Sequence, residues 1–384
     1  MKHIKVTAVL ASAFIVAAGL SACGGGDEAG ADGPIRVAAI QTTSGTAAQT
    51  GEPQVAGLKL AFKKINADGG VDGRKIKVTY FDDKGDPAEA VKLAQKVVQD
   101  GGYVAVVAAS LSANTIGIQG VTEDAGLPLL DALSAADQII SPDTKMTFRV
   151  TGPVKSELIR LHKYAVDNQY AKLAMLHSTD GWGLSGSDDK GVLEGDGTTL
   201  VTDVAHETNT ADFSTQIAKL KKADPDAIVM WNLGGDGGKF VKQVRSQGWD
   251  VPILGGRAFG YPVVFDLAGD AAMEGTVRTD AIDETKPEAK ALLDYATKEF
   301  GSVKYQPDLL AQSYDAGMVL AKAMEKGTSP EQIRDGFYAI KDYTGASGGT
   351  GSSFAFSASD HDGAKGDNYV NIKVAKGGAW TSTD

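Results

Sequence analysis

The polar run Ser110-Leu111-Ser112-Ala113-Asn114-Thr115 follows an apolar stretch, Val104 to Ala108, and opens a helix predicted from about Ala113 to Ala125. The first N–H groups of a helix have no carbonyl partner inside it, and the helix dipole places partial positive charge at that end. Such a junction suits an anion, for instance a carboxylate. Ser112 can contact such a ligand or simply cap the helix, and the two roles are compatible. Catalytic readings fail on spacing. No HExxH is present, and His162, His177, His206 and His361 are scattered without metal-ligand spacing. Gly234-Gly235-Asp236-Gly237-Gly238-Lys239 is not a P-loop, because Leu233 stands where the first Gly belongs and Phe240 replaces the Ser or Thr. Gly183-Leu184-Ser185-Gly186 is one residue short of a nucleophile elbow. Asp82, Asp83 and Asp86 read either as cation ligands or as loop and helix-start residues ahead of Pro87. The sequence offers no catalytic constellation and implies no metal and no cofactor.

The elements that must position these residues alternate along the chain. Ile35 to Ile40 reads as a buried strand, followed by Val55, Leu58, Phe62 and Ile65 at helical spacing. The turn from Asp68 to Gly73 ends that helix. Lys77 to Phe81 is a second strand, Pro87 opens a helix with Val91, Ala94 and Val98 on one face, and Val104 to Ala108 is a third strand. After Arg149-Val150-Thr151-Gly152 the rhythm restarts. Helices marked by Val154, Leu158 and Leu161, by Phe213, Ile217 and Leu220, and by Phe240, Val241 and Val244 alternate with strands at Leu173 to Leu176, Ala227 to Met230 and Pro252 to Leu254. A helix-rich stretch runs from Pro287 to Ile340, and Phe354 to Phe356 and Val370 to Val374 look like late strands. Near-continuous apolar strands separated by helices imply parallel sheets covered on both faces. The expected architecture is α/β, with two doubly wound parallel-sheet lobes.

The ends and the composition constrain where such a protein works. Lys2, His3 and Lys5 form a basic head, and the apolar run from Val6 to Leu20 is shorter than the ~20 residues a membrane-spanning helix needs. That pattern is a secretory leader over 1–22. It ends in Leu20-Ser21-Ala22-Cys23, which resembles the lipobox of bacterial lipoproteins, with Cys23 as the lipidated first residue of the mature chain. Cys23 is the only cysteine among 384 residues, so the chain can form no internal disulfide. Residues 23–33 are rich in Gly, Ala and acids, as a flexible tether would be. The net charge of −11 becomes more negative once Lys2 and Lys5 are removed with the leader. Such acidity argues against nucleic acid as a partner, because phosphate backbones demand clustered positive charge. The expected location is extracytoplasmic, anchored to the membrane by lipid at Cys23.

One family shares this order of features. Its marks are Ala61-Phe62-Lys63-Lys64-Ile65-Asn66-Ala67-Asp68-Gly69-Gly70-Val71-Asp72-Gly73, then Asp82-Asp83 through Asp86-Pro87 with Ala90-Val91, then Glu123-Asp124-Ala125-Gly126-Leu127-Pro128 and Phe148-Arg149. Over essentially the whole mature chain the sequence resembles the substrate-binding proteins of branched-chain amino acid ABC transporters. The resemblance implies the type I periplasmic-binding-protein fold, with its lobes joined by three crossovers and closing on ligand about a hinge. On that template one lobe is 34–151 plus 280–346, and the other is 152–279 plus 347–384. The resemblance also implies a monomer that hands a small molecule, an amino acid or a related carboxylate or amide, to an ABC permease. A sensor delivering the same signal to a membrane partner, or an enzyme on the same scaffold, are the other uses the fold permits.

The resemblance places the ligand at particular residues. Ser112 matches the residue that contacts the ligand carboxylate, in the run that also holds Ser110, Asn114 and Thr115. Ser134 belongs to the second contact loop, where the family's usual threonine falls on Ala135. Trp182 stands where a tyrosine usually faces the cleft, Leu233 replaces another tyrosine, and Thr50 lies where many members have an aromatic. Arg257 occupies the position of an acid that often holds the ligand's ammonium. Facing the cleft, Arg257 would favour a carboxylate; facing outward, it would be neutral to the ligand.

Overall fold

A computed structural model describes residues 33–45, 47–302 and 305–383. The leader, Cys23 and the tether up to residue 32 lie outside the described residues. The first lobe begins with β1 (Ile35–Gln41), α1 (Ala48–Ala67), β2 (Ile76–Asp82), α2 (Pro87–Asp100), β3 (Tyr103–Ala108), α3 (Ser112–Asp124), β4 (Leu129–Asp131) and β5 (Thr147–Arg149). These strands form one parallel sheet in the order β2-β1-β3-β4-β5. The second lobe follows with α4 (Val154–Asp167), β6 (Lys172–Ser178), α5 (Gly181–Asp188), β7 (Thr199–His206), α6 (Ser214–Ala223), β8 (Ala227–Trp231), α7 (Asp236–Ser246), β9 (Ile253–Gly255), α8 (Pro262–Ala268), α9 (Asp270–Met273) and β10 (Val277–Asp280).

The chain then returns to the first lobe as α10 (Pro287–Phe300), α11 (Pro307–Met324) and α12 (Pro330–Ala339), which the small pair β11 (Ser353–Phe354) and β12 (Ala364–Lys365) follows. It ends in the second lobe as β13 (Asn371–Lys376) and β14 (Ala379–Ser382). The second sheet has the order β14-β13-β10-β9-β8-β6-β7, parallel except that β13 pairs antiparallel with both β10 and β14. Two doubly wound lobes joined by three crossovers is the architecture the sequence implies. Among the described residues, no helix is long and apolar enough to cross a membrane.

Local chemistry explains the main elements. Every residue of β8 is buried, as expected for a strand covered on both faces. Asp86 accepts a hydrogen bond from the Ala88 N–H and Pro87 supplies the first helical residue, so α2 starts where the Asp-Pro pair stands. Gly57 lets α11 cross α1 closely, since a Cβ there would lie 2.4 Å from the Leu310 carbonyl oxygen. The Gly237-Gly238 pair serves packing as well: a Cβ on Gly238 would lie 2.5 Å from the Val264 carbonyl oxygen.

One boundary differs from the template. The segment after 346 does not pass directly to the second lobe. Phe354 and Phe356 are buried in the first lobe's core, where Phe148 stacks on Phe337 at 4.1 Å and meets Phe356 edge-on at 5.8 Å. Gly363 N–H also bonds the Arg149 carbonyl at the edge of β5. The return therefore falls at Val370 and Asn371, where β13 joins β10. Four strands carry little sequence signal: β4, β5 and β10 are very short, and β7 is an edge strand with polar, partly exposed positions.

Candidate functional site

A cavity of about 220 Å³ lies between the lobes, below the ~300–1,000 Å³ of drug-sized sites. Only a molecule with few heavy atoms fits. The structure places Thr50, Ser110, Ser112, Asn114, Ser134 and Trp182 in its wall, together with Leu233 and Arg257. Thr115 lies just behind.

The first-lobe wall is the junction of β3 and α3. Leu111, in extended conformation, occupies the N-cap and makes no side-chain cap bond, so Ser112 is the first helical residue rather than the cap. The N–H groups of Ser112, Ala113 and Asn114 have no intrahelical partner. Asn114 is buried, and neither its amide oxygen nor its amide nitrogen has a partner. Three predicted ligand hydroxyls are already engaged. Ser110 Oγ accepts from Thr42 N–H at 3.0 Å and lies 3.3 Å from Gln41 Oε1. Thr115 Oγ1 and Ser134 Oγ hydrogen-bond each other at 2.7 Å, tying α3 to the loop after β4. That loop is held by Asp131, whose Oδ1 accepts from Leu133 N–H at 3.0 Å and Ser134 N–H at 2.8 Å. Ser110, Thr115 and Ser134 thus shape the wall rather than present free hydroxyls.

The second-lobe wall is aromatic. Trp182 stacks on Trp231 at 4.9 Å, and Trp231 fits because Gly186 and Gly256 flank it; a Cβ at Gly186 would stand 2.4 Å from the indole. Arg257 lies over Trp182, 5.7 Å from the ring centre. Asp180 N-caps α5 through Oδ1, which accepts from Trp182 and Gly183 N–H at 2.9 Å each. These bonds fix the start of the helix that carries Trp182.

Arg257 matches neither alternative, free in the cleft or turned outward. It borders the cavity but is buried, and its donors are occupied by protein. Nε bonds Glu157 Oε1 at 2.6 Å and Nη2 approaches the same oxygen at 2.5 Å. Nη1 bonds Thr151 Oγ1 at 2.6 Å and Gln312 Oε1 at 3.3 Å, while Nη2 also bonds the Gly152 carbonyl at 3.1 Å. Burial by itself would lower the guanidinium pKa; Glu157 outweighs burial and holds it above its ordinary value. A guanidinium has five N–H donors, and these contacts use all of them. The cation braces the second lobe against the crossover at 151–152 and against α11 of the first lobe.

Two polar wall residues escaped sequence reasoning. Tyr261 precedes the Pro262 that opens α8, and its hydroxyl receives a hydrogen bond from Thr50 Oγ1 across the cleft at 3.1 Å. Burial pushes the Tyr261 phenol up to about 12, so it stays neutral. Thr50 therefore meets an aromatic from the opposite lobe, and its hydroxyl is engaged too. Asp180 is the other, and an Asp followed by Gly-Trp at a strand end could have marked it as a helix cap. No group of His, Cys, Asp and Glu able to hold a metal occurs among the described residues, and Asp83 bonds Thr42 Oγ1 at 2.6 Å while Asp86 caps α2.

Comparison with known proteins bears on the family and the fold. The chain is 29% identical over 308 residues to the leucine-, isoleucine-, valine-, threonine- and alanine-binding protein of Pseudomonas aeruginosa, covering 78% of this chain and 81% of the relative. It is 27% identical over 292 residues to the Leu/Ile/Val-binding protein of Escherichia coli, covering 74% and 79%. The branched-chain amino acid transporter substrate-binding protein LivJ of Streptococcus pneumoniae, solved with isoleucine, has the same fold: TM-score 0.81 at 24% identity, over 91% of this chain and 98% of that one. A periplasmic binding protein type 1 from Bordetella pertussis superposes with TM-score 0.83 at 19% identity, over 91% and 99%. The periplasmic binding protein model matches residues 34–378, all of the two-lobed body up to the last strand, and the chain belongs to that family.

Proposed function

We propose that this protein is the extracytoplasmic receptor of an ABC permease, capturing a small amino acid or related carboxylate or amide by closure of its lobes. The observation that carries the reading is a small cavity whose walls come from both lobes, so that a ligand inside it contacts both. A ligand shifts an open–closed balance only by what it gains in the closed form, and contacts from both lobes supply that gain. Unpartnered N–H groups at the start of α3 suit a carboxylate, and Trp182, Leu233 and Leu111 suit an apolar body. The relatives' named ligands are apolar or small amino acids, which fit a cavity of this size. Lipid at Cys23 would keep the receptor beside its permease; two or more acyl chains hold a protein stably where one does not.

The test has two arms. Mass spectrometry of small molecules released from gently purified, denatured protein should identify a ligand. Adding that ligand back at a hundredfold excess over its Kd should stabilise the fold by about 2.7 kcal/mol and compact the molecule in solution scattering. Identical dimensions with and without ligand would refute closure. Replacing Cys23 with Ser should release the protein from the membrane fraction, and an unchanged distribution and mass would refute lipidation.

A further inference from the structure

The walls of the cavity carry two ionisable side chains of opposite sign, Arg257 and Asp180, and they are in opposite states. Arg257 is neutralised by Glu157, with every donor engaged. Asp180 has no salt bridge among the described residues. Its Oδ1 caps α5, while its Oδ2 is buried and has no partner. The nearby base is His206, whose pKa burial lowers below its ordinary value, so it is largely neutral at pH 7 and leaves Asp180 uncompensated. A buried carboxylate oxygen without a partner is costly and asks for a donor.

Directly across the cleft lies the first turn of α3: a Cβ added to Gly181 would stand 4.0 Å from the Ala113 Cβ. The starts of two helices thus face each other. On α3 no side chain caps the helix and the N–H donors remain open; on α5 the start is closed by Asp180. One wall is electropositive, the other carries an unmatched carboxylate, and the space between them is small.

We infer that Asp180 receives the ligand's ammonium group, so that an α-amino acid zwitterion binds with its carboxylate toward α3 of the first lobe and its ammonium toward α5 of the second. The inference rests on the receptor function proposed above and moves the ammonium site away from position 257, where Arg257 is tied to Glu157. It makes Asp180 a specificity residue: a molecule lacking the amine leaves Oδ2 bare in the closed cleft.

The test compares wild type with Asp180→Asn, whose amide oxygen keeps the helix cap. The probes are the twenty L-amino acids and the 2-hydroxy acids corresponding to leucine, isoleucine and valine, titrated by calorimetry. Wild type should bind at least one of the three branched amino acids and bind its hydroxy counterpart at least tenfold more weakly. Asp180→Asn should weaken the amino acid about ten- to a hundredfold and leave the hydroxy acid unchanged or tighter. Equal loss for both probes, amino acid affinity within twofold of wild type, or no branched amino acid bound by wild type would each overturn the assignment. Release of an identified ligand without an amine would leave the receptor function standing and refute Asp180 alone.

Discussion

Each lobe shapes its face of the cavity around one buried carboxylate, and the two are satisfied differently. In the first lobe Asp131 accepts N–H bonds from Leu133 and Ser134, two and three residues ahead of it, and its Oδ2 has no partner. In the second lobe Glu157 accepts from Arg257 Nε and N–H, 100 residues away, and from Thr279 Oγ1, 122 residues away. The first is a turn made by the sequence's near neighbours. The second is an ion pair assembled only when the lobe has folded and the crossover is in place. One wall is local and tolerant, whereas the other depends on matched partners.

Breaking the matched pair should have the largest effect. Glu157→Ala leaves the Arg257 guanidinium buried and uncompensated, and removing one partner of a buried pair costs about 3–5 kcal/mol. Urea denaturation should show that loss in the midpoint. Replacing both residues together, Glu157→Met with Arg257→Met, should recover most of it, because the stranded charge is gone. If ligand rather than Glu157 neutralised Arg257, Glu157→Ala would cost little and would tighten binding of an anion.

Asp131 gives the first-lobe wall a pH dependence. Burial raises its pKa to about 7, and nearby Arg149 pulls downward without winning. In the unfolded chain it titrates near the ordinary ~3.9. Between those values the folded protein holds the extra proton, so raising the pH through this window lowers the unfolding free energy. The contribution is complete below about 4 and lost above about 7, on the order of 4 kcal/mol for a shift of this size. The melting midpoint should fall from pH 4 to pH 7, and Asp131→Asn, whose amide oxygen can still accept from Leu133 and Ser134, should flatten the slope. An unchanged slope in that variant would assign the effect elsewhere; Asp308, raised to about 6 mainly by burial, is the next candidate.

The same contrast explains how much was legible in the sequence. The lobes, their parallel sheets and the α3 junction follow from apolar runs, caps and turns, all local signals. Ser112 stands at a strand-to-helix junction that neighbours in sequence build, whereas Ser134 is placed only by the family resemblance. The state of Arg257 could not be found in the sequence, since Glu157, Thr151 and Gln312 meet it only through the tertiary fold. Nor could the Thr50–Tyr261 bond between lobes, or the late return of the chain at Val370, which depends on Phe354 and Phe356 packing against Phe148.

The smallest expected effect is at Ser112, and it separates side chain from backbone on the local wall. Ser112→Ala removes one hydroxyl and keeps every N–H of the first turn, so affinity for the best-binding L-amino acid should fall only about two- to tenfold. Ser112→Pro removes the hydroxyl and one N–H while keeping the helix. Proline is favoured at the first helical position, and the residue before a proline must be extended. Leu111 already is, at φ −126° and ψ 139°. The proline variant should therefore fold with an unchanged melting midpoint and bind more weakly than Ser112→Ala. If the two variants bind alike, the ligand takes no hydrogen bond from that N–H. If both bind like wild type, the open start of α3 is not where the carboxylate sits.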